Sequence, residues 1–233
     1  MTLSGRAILT VLGIWLFIIT AVTGVVSMRR SSPAVWASTS DSRPATLTGR
    51  WPATALQELR LEATQGAVTI LTSDADEVDV SVEVRPTRRK HSFFSRGSGT
   101  PANAQLIHEE AGTQTALRVT DAGGPVEEHW TVRVPKRFGV RATVNVGDLN
   151  VSGVEGALDL EVSVGTITAD SSSVTHGAVD VRSDVGDARL SVEGRSIIAP
   201  RRPGPGHHLR LDGDGPHTLT LRVNVGDANL RIR

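Results

Sequence analysis

"LRVNVGDANLRI", Leu221–Ile232, repeats almost letter for letter "ATVNVGDLNV", Ala142–Val151, about eighty residues earlier. In both, aliphatic residues alternate with polar ones up to a glycine and resume after it. Aligning the chain on that glycine brings out more copies. Seven, five, three and one residues before Gly147 stand Val140, Ala142, Val144 and Val146. Before Gly165 they are Leu158, Leu160, Val162 and Val164; before Gly186, Val179, Val181, Ser183 and Val185; before Gly226, Leu219, Leu221, Val223 and Val225. Apolar residues return two and four positions later, as Leu149 and Val151, Ile167 and Ala169, Ala188 and Leu190, Ala228 and Leu230. A fainter copy surrounds Gly66. Odd offsets are apolar ahead of the glycine and even offsets behind it. A residue absorbed while the same face stays inward is what a bulge or tight corner does. This reading expects every odd offset, the valine next to the glycine included, to point inward.

The glycine spacings are 18, 21 and 40 residues, the last being about two periods. One rung is therefore degenerate, or replaced by the insertion Ser196–His217, in which a single short strand is expected over His208–Leu211. A unit of about 20 residues with two short strands cannot bury its apolar face alone, so neighbours must stack. The fold expected is all-β: a β-solenoid or roll of such two-strand repeats over residues 55–233. Meander strands are expected at Val78–Val84, Ala116–Val119 and Trp130–Val134. The last strand, Ala228–Ile232, is expected at an exposed edge. Beyond residue 30 no stretch has the period of an amphipathic helix of normal length.

Ala7–Met28, "AILTVLGIWLFIITAVTGVVSM", contains no charged residue. At 1.5 Å per residue it is long enough for a bilayer core of roughly 30 Å. Residues 1–30 are read as a transmembrane anchor in contact with the lipid bilayer through residues 7–28. A cleaved signal peptide is the rival, with Val35-Trp36-Ala37 as a weak cleavage site; the length of the run and the two arginines after it favour an anchor. Residues 31–54, rich in Ser, Thr, Ala and Pro, read as a linker. The β domain is expected outside the cytoplasmic membrane, although Arg6 on one side and Arg29, Arg30 and Arg43 on the other do not by themselves set that orientation.

Charge excludes some functions. Bases and acids balance at 25 each. Three bases and no acid fall in residues 1–30, so the rest carries 22 bases against 25 acids. Such a domain has no global field to gather nucleic acid. There is no cysteine, which removes disulfides, thiolate zinc sites and Cys nucleophiles.

The stretch Trp130–Ala169, "WTVRVPKRFGVRATVNVGDLNVSGVEGALDLEVSVGTITA", resembles the bacterial "putative adhesin" β-strand-repeat domain family, a family of unknown function. Its members carry a strand ending in Val-Pro followed by phrases of the form hydrophobic-x-hydrophobic-x-Gly-Asp-hydrophobic. The likeness covers roughly residues 55–233 and is strongest over 130–233. It implies a roll-like β-solenoid in a cell-envelope setting and supplies no catalytic residues. The Pro-rich insertion departs from the pattern.

Four groups of residues invite a chemical reading. Asp148, Thr166, Asp187 and Asp227 follow the repeat glycines, with Ala67 in the early copy. Stacked in chain order they would leave the carboxylates about two rungs, roughly 9–10 Å, apart. That is too far for one calcium ion, and Asp beside Gly is ordinary turn chemistry; the glycines Gly66, Gly147, Gly165, Gly186 and Gly226 with their followers read as structural corners. "HHLRLDGDGPH", His207–His217, holds ligand-type residues but lacks EF-hand spacing, and reads as a hairpin. "RPTRRKHSFFSRGSG", Arg85–Gly99, gathers Arg85, Arg88, Arg89, Lys90 and Arg96 around Phe93 and Phe94. It is either a solvated loop or a surface for anionic lipid or envelope polymer. Nucleophilic catalysis finds little: Ser171–Ser173 precede His176 without a nucleophile elbow, and Glu109-Glu110 and Glu127-Glu128 alternate faces on a strand. The sequence thus points to a membrane-anchored, non-catalytic, adhesin-like envelope module needing no cofactor or metal. The alternatives are a polysaccharide-active β-helix enzyme and a cytoplasm-facing scaffold of reversed topology.

Overall fold

The structure, a computed structural model, describes residues 44–87, 101–120, 125–172, 176–197 and 205–233. Residues 7–28 and the segment from Arg88 to Arg96 lie outside these. No helix of the described residues is long and apolar enough to cross a membrane. The chain is all-β. Its strands are β1 Ala45–Pro52, β2 Glu58–Ser73, β3 Glu77–Pro86, β4 Gln105–Ala111, β5 Gln114–Thr120, β6 Val126–Pro135 and β7 Gly139–Val154, then β8 Leu158–Ser171, β9 His176–Val185, β10 Ala188–Val192, β11 Arg195–Ile197, β12 His207–Leu211 and β13 His217–Ile232. They form one large sheet of thirteen strands.

The long strands β2, β7, β8 and β13 pair in parallel, with the repeat glycines in register: Gly66 with Gly147, Gly147 with Gly165, Gly165 with Gly226. Each glycine turns its strand. The half before the glycine belongs to one layer, ordered β4–β5–β2–β7–β8–β13–β9–β12, and the half after it to a second, ordered β1–β3–β6–β2–β7–β8–β13–β10–β11. Residues 155–157 link the end of β7 in the second layer to the start of β8 in the first. One aliphatic core is shared by both layers, with Leu61, Ala142, Leu160, Leu221 and Val181 from the first and Ile70, Val151, Ala169 and Leu230 from the second. Burying a valine or leucine side chain contributes about 1.5–3 kcal/mol, so this alternation, repeated over five rungs, is what drives the layers together.

The glycines are obligatory. Their φ values lie between +132° and +142°, a region that L side chains rarely adopt. A Cβ on Gly147 would sit 1.7 Å from the Gly66 carbonyl oxygen, and one on Gly226 would sit 1.8 Å from that of Gly165. The corner exists because neighbouring backbones touch there.

The structure corrects several expectations. The C-terminal strand is not an edge: β13 lies between β8 on one side and β9 and β10 on the other. The rungs therefore do not climb in chain order, as a simple solenoid would. The valines next to the glycines point outward: Val146, Val164, Val225 and Val185 are 46–48% exposed. The corner spans the offsets from −2 to +1, so inward packing stops at −3 and resumes at +2. The domain begins earlier than residue 55, since β1 lies in the stretch read as linker and pairs with β3. Ala45, Leu47 and Trp51 are its inward residues, and Pro52 is tolerated because β1 is an edge strand. Strands β4 and β11 had no counterpart in the sequence reading. The expected short strand in the insertion is found as β12. It does not form a hairpin with β13, however; the two flank β9 on opposite sides.

Candidate binding face

The corner column is the first place to look for chemistry. At one end, Glu128 of β6 stands in register with Gly66. Its buried carboxylate accepts a 2.7 Å hydrogen bond from Trp130 Nε1 and a longer one from the Thr64 amide. A side chain there caps backbone that a further rung would otherwise pair. At the other end, Ser183 Oγ donates to the Gly226 carbonyl.

Insertion of β13 reorders the residues after the glycines. Along the column they run Ala67, Asp148, Thr166, Asp227, and Ala188, which follows Asp187, pairs with Ala228. Asp227 and Asp187 are thus on adjacent rungs, not two apart. Their charges are managed by bonding. Asp227 Oδ1 accepts the Asp187 amide at 3.0 Å, and Asp187 accepts from Arg189 at 2.7 Å. His207 Nδ1 lies 2.9 Å from the Gly186 carbonyl oxygen and 3.5 Å from Asp187. Asp227 thus bonds the backbone of the neighbouring corner, and Asp187 pairs with an arginine on its own strand. No group of three or more potential metal-ligating side chains occurs among the described residues. His208 pairs with Asp180 at 3.0 Å, away from Asp212 and Asp214 at the next turn, so "HHLRLDGDGPH" does not converge.

The segment Arg85–Gly99 enters the described residues only through Arg85. That side chain is held by Glu83 at 2.8 Å and is not a free surface cation.

The outer faces of the two layers differ. On the first layer most charged groups are paired, Glu161 being an exception. Arg141 bridges Asp159 at 3.2 Å and Glu58 at 4.0 Å, Arg222 lies 3.9 Å from Asp159, and Gln114 donates to Glu58. A groove of about 560 Å³ opens over this ladder, but its charges are already matched. On the second layer two ranks cross the strands. One reads Thr69, Asn150, Thr168, Asn229, Arg189 and the other Leu71, Ser152, Asp170, Arg231, Ser191. Apart from Thr69 and Leu71, they line a groove of about 430 Å³. Asn150, Thr168, Asn229, Ser152, Ser191 and Arg231 make no side-chain hydrogen bond or ion pair. Two members are already engaged: Arg233 holds Asp170 in the middle of one rank, and Asp187 holds Arg189 at the end of the other.

Along the chain Asn150 and Thr168 are only isolated polar strand positions. That these two join Asn229 in one rank could not be read without the strand order.

No protein-family model matches this chain, and no curated protein matches it. Two solved structures align with it at low similarity. One, named a "putative cell adhesion protein", is from Clostridium sporogenes ATCC 15579; it is 11% identical, with a TM-score of 0.45, over 82% of this chain and all of that one. The other, a "putative adhesin" from Bacteroides fragilis NCTC 9343, is also 11% identical, with a TM-score of 0.24, over 81% of this chain and 97% of that one. Likeness at this level leaves the role of the chain to be argued from its own residues.

Proposed function

We propose that this chain is a non-catalytic binding module of the cell envelope, held in the cytoplasmic membrane through residues 7–28 with its β domain displayed outside. The observation that supports binding is the contrast between the two outer faces. One pairs nearly all its charges, whereas the other presents amides, hydroxyls and an unpaired guanidinium, Arg231, with unspent hydrogen-bonding capacity. A surface that only needed solubility would not require ranks fixed in register across four strands. Arg88, Arg89, Lys90 and Arg96 are assigned in this reading a second contact, to anionic lipid or polymer.

The test is co-sedimentation of the purified full-length chain, in detergent micelles, with insoluble cell-wall polymer. Saturable binding without release of soluble sugar is expected. Absence of binding overturns the reading, and release of sugar would favour the polysaccharide-active alternative. Reporter fusions at the C-terminus, one active only outside the membrane and one only inside, check the orientation.

A further inference from the structure

We infer that the groove across β7, β8, β13 and β10 binds an extended acidic polysaccharide, with Arg231 receiving its anionic group. This rests on the binding-module reading and names the ligand class and the site.

Shape is the first ground. The two ranks run across the strands, so neighbouring side chains in a rank are set by the strand spacing of about 4.8 Å. From β7 to β10 that is three spacings, or ~14 Å. The groove is therefore elongated and presents polar side chains at each step, which suits a linear polymer rather than a compact molecule.

Chemistry is the second ground. Asn150, Thr168 and Asn229 supply donors and acceptors in one rank, and Ser152 and Ser191 supply them in the other. Such groups match vicinal hydroxyls, which also donate and accept. A peptide is a poorer match. It would add to a sheet edge, or anchor apolar side chains in pockets, and this face has neither. A lipid surface is poorer still, since apolar residues and a cluster of bases are both needed.

Charge is the third ground. Among the described residues every Arg and Lys other than Arg195 and Arg231 lies within 4.0 Å of a carboxylate. Arg195 belongs to β11, outside the two ranks. Arg231 stands in the groove between Asp170 and Ser191 in register, and Asp170 is engaged by Arg233 instead. A guanidinium left unmatched in a fold that pairs nearly all its bases is complementary to an incoming carboxylate or phosphate.

The experiment measures binding of the full-length chain in micelles to polygalacturonate, to phosphomannan and to uncharged dextran, at low and at physiological salt. Binding to one or both acidic polymers, with dextran at least tenfold weaker, is expected, and added salt should weaken it. The two acidic arms distinguish carboxylate from phosphate as the anionic source. Arg231→Ser should weaken acidic-polymer binding about tenfold or more, equivalent to about 1.4 kcal/mol. Thr168→Asp, which adds a negative charge to the neighbouring rank, should weaken it as well. Both positions are exposed, and an unchanged unfolding midpoint shows that each variant is folded. A variant with Arg88, Arg89, Lys90 and Arg96 replaced by serine should retain the Arg231-dependent part. Equal binding of dextran overturns the inference. So does acidic-polymer binding that is lost in the four-base variant yet untouched by Arg231→Ser, although the chain would then still be a binding module. Failure to bind either the acidic polymers or cell-wall polymer overturns both.

Discussion

The carbonyl oxygen of Gly147 lies 1.9 Å from where a Cβ on Gly165 would be. Contacts of this kind recur along the corner column, so each rung's backbone occupies the space that a side chain on the next would need. Gly165→Ala meets backbone, which cannot swing away as a side chain can, and must also adopt a φ of +142°. Its expected cost exceeds ~4 kcal/mol, in the range reserved for severe mechanisms, or folding fails outright. Gly112→Ala is the control. It too has a positive φ, +62°, but nothing lies within 4 Å of its added Cβ, so only the conformational cost of about 1–2 kcal/mol applies. Urea unfolding of the two variants checks the difference.

Valines two positions apart should respond very differently. Val144 is fully buried and Val146 is 46% exposed. Val144→Ser leaves a cavity and buries a hydroxyl, costing about 2 kcal/mol or more. Val146→Ser should stay within ~0.5 kcal/mol, as surface changes do. Equal losses would mean that the corner does not turn the side chain outward.

Strand β13 holds the far end of the molecule. Among the described strands, β9 pairs only with β12 and β13, and β10 only with β11 and β13. A chain ending at Pro216 should therefore lose the ordered packing of residues 176–197 and 205–215 and leave β8 as an open edge. Limited proteolysis should cut those residues first, and the soluble yield should fall. Resistance equal to that of the intact chain would contradict the strand order.

Two buried histidines make stability depend on pH. His108 stacks on Trp51, with ring centroids 4.1 Å apart, and its Nε2 lies 2.9 Å from Thr115 Oγ1. Burial lowers its pKa, partly offset by Glu110. His176 has its pKa lowered by burial and further by His217, and neither of its ring nitrogens has a hydrogen-bond partner. In both cases the folded-state pKa lies below the unfolded value of about 6.5, so the unfolded chain binds more protons. Their contribution is fully present above pH 6.5 and is lost as pH falls from there through the folded-state values. The urea midpoint should drop between pH 7 and pH 5. His176→Leu should flatten that slope and, by removing unsatisfied buried nitrogens, leave stability at pH 7 equal or higher. An unchanged slope would assign the pH dependence to other groups.

Glu128 is the acidic residue on which the corner depends most. Glu128→Ala removes the acceptor of Trp130 Nε1 and of the Thr64 amide, two donors that each cost about 1–3 kcal/mol when left unsatisfied. Glu128→Gln keeps one acceptor oxygen and should lose less. Unfolding followed by tryptophan fluorescence separates the two.

Much of this was legible along the chain. Alternation of aliphatic and polar residues gave the strands, and the phase change at Gly147, Gly165, Gly186 and Gly226 gave the corners. Both follow from stereochemistry within a few residues: the two-residue period of an extended chain, and a backbone angle open only to glycine. The strand β12 was found for the same reason. The strand β1 was missed because its Ser-, Thr- and Pro-rich surroundings resemble a linker, and its pairing with β3 is not a local property.

The order of the rungs belongs to the tertiary structure. Five similar strands offer nearly the same local fit in any order, so alternation cannot say that β13 inserts between β8 and β9. That one placement makes Asp227 the neighbour of Asp187, removes the C-terminal edge, and brings Asn150, Thr168 and Asn229 into one rank beside Arg231. The sequence by itself determined which residues face in and where the chain turns. Only the packing of the strands decided which outward residues meet, because side chains far apart in sequence become neighbours only through register.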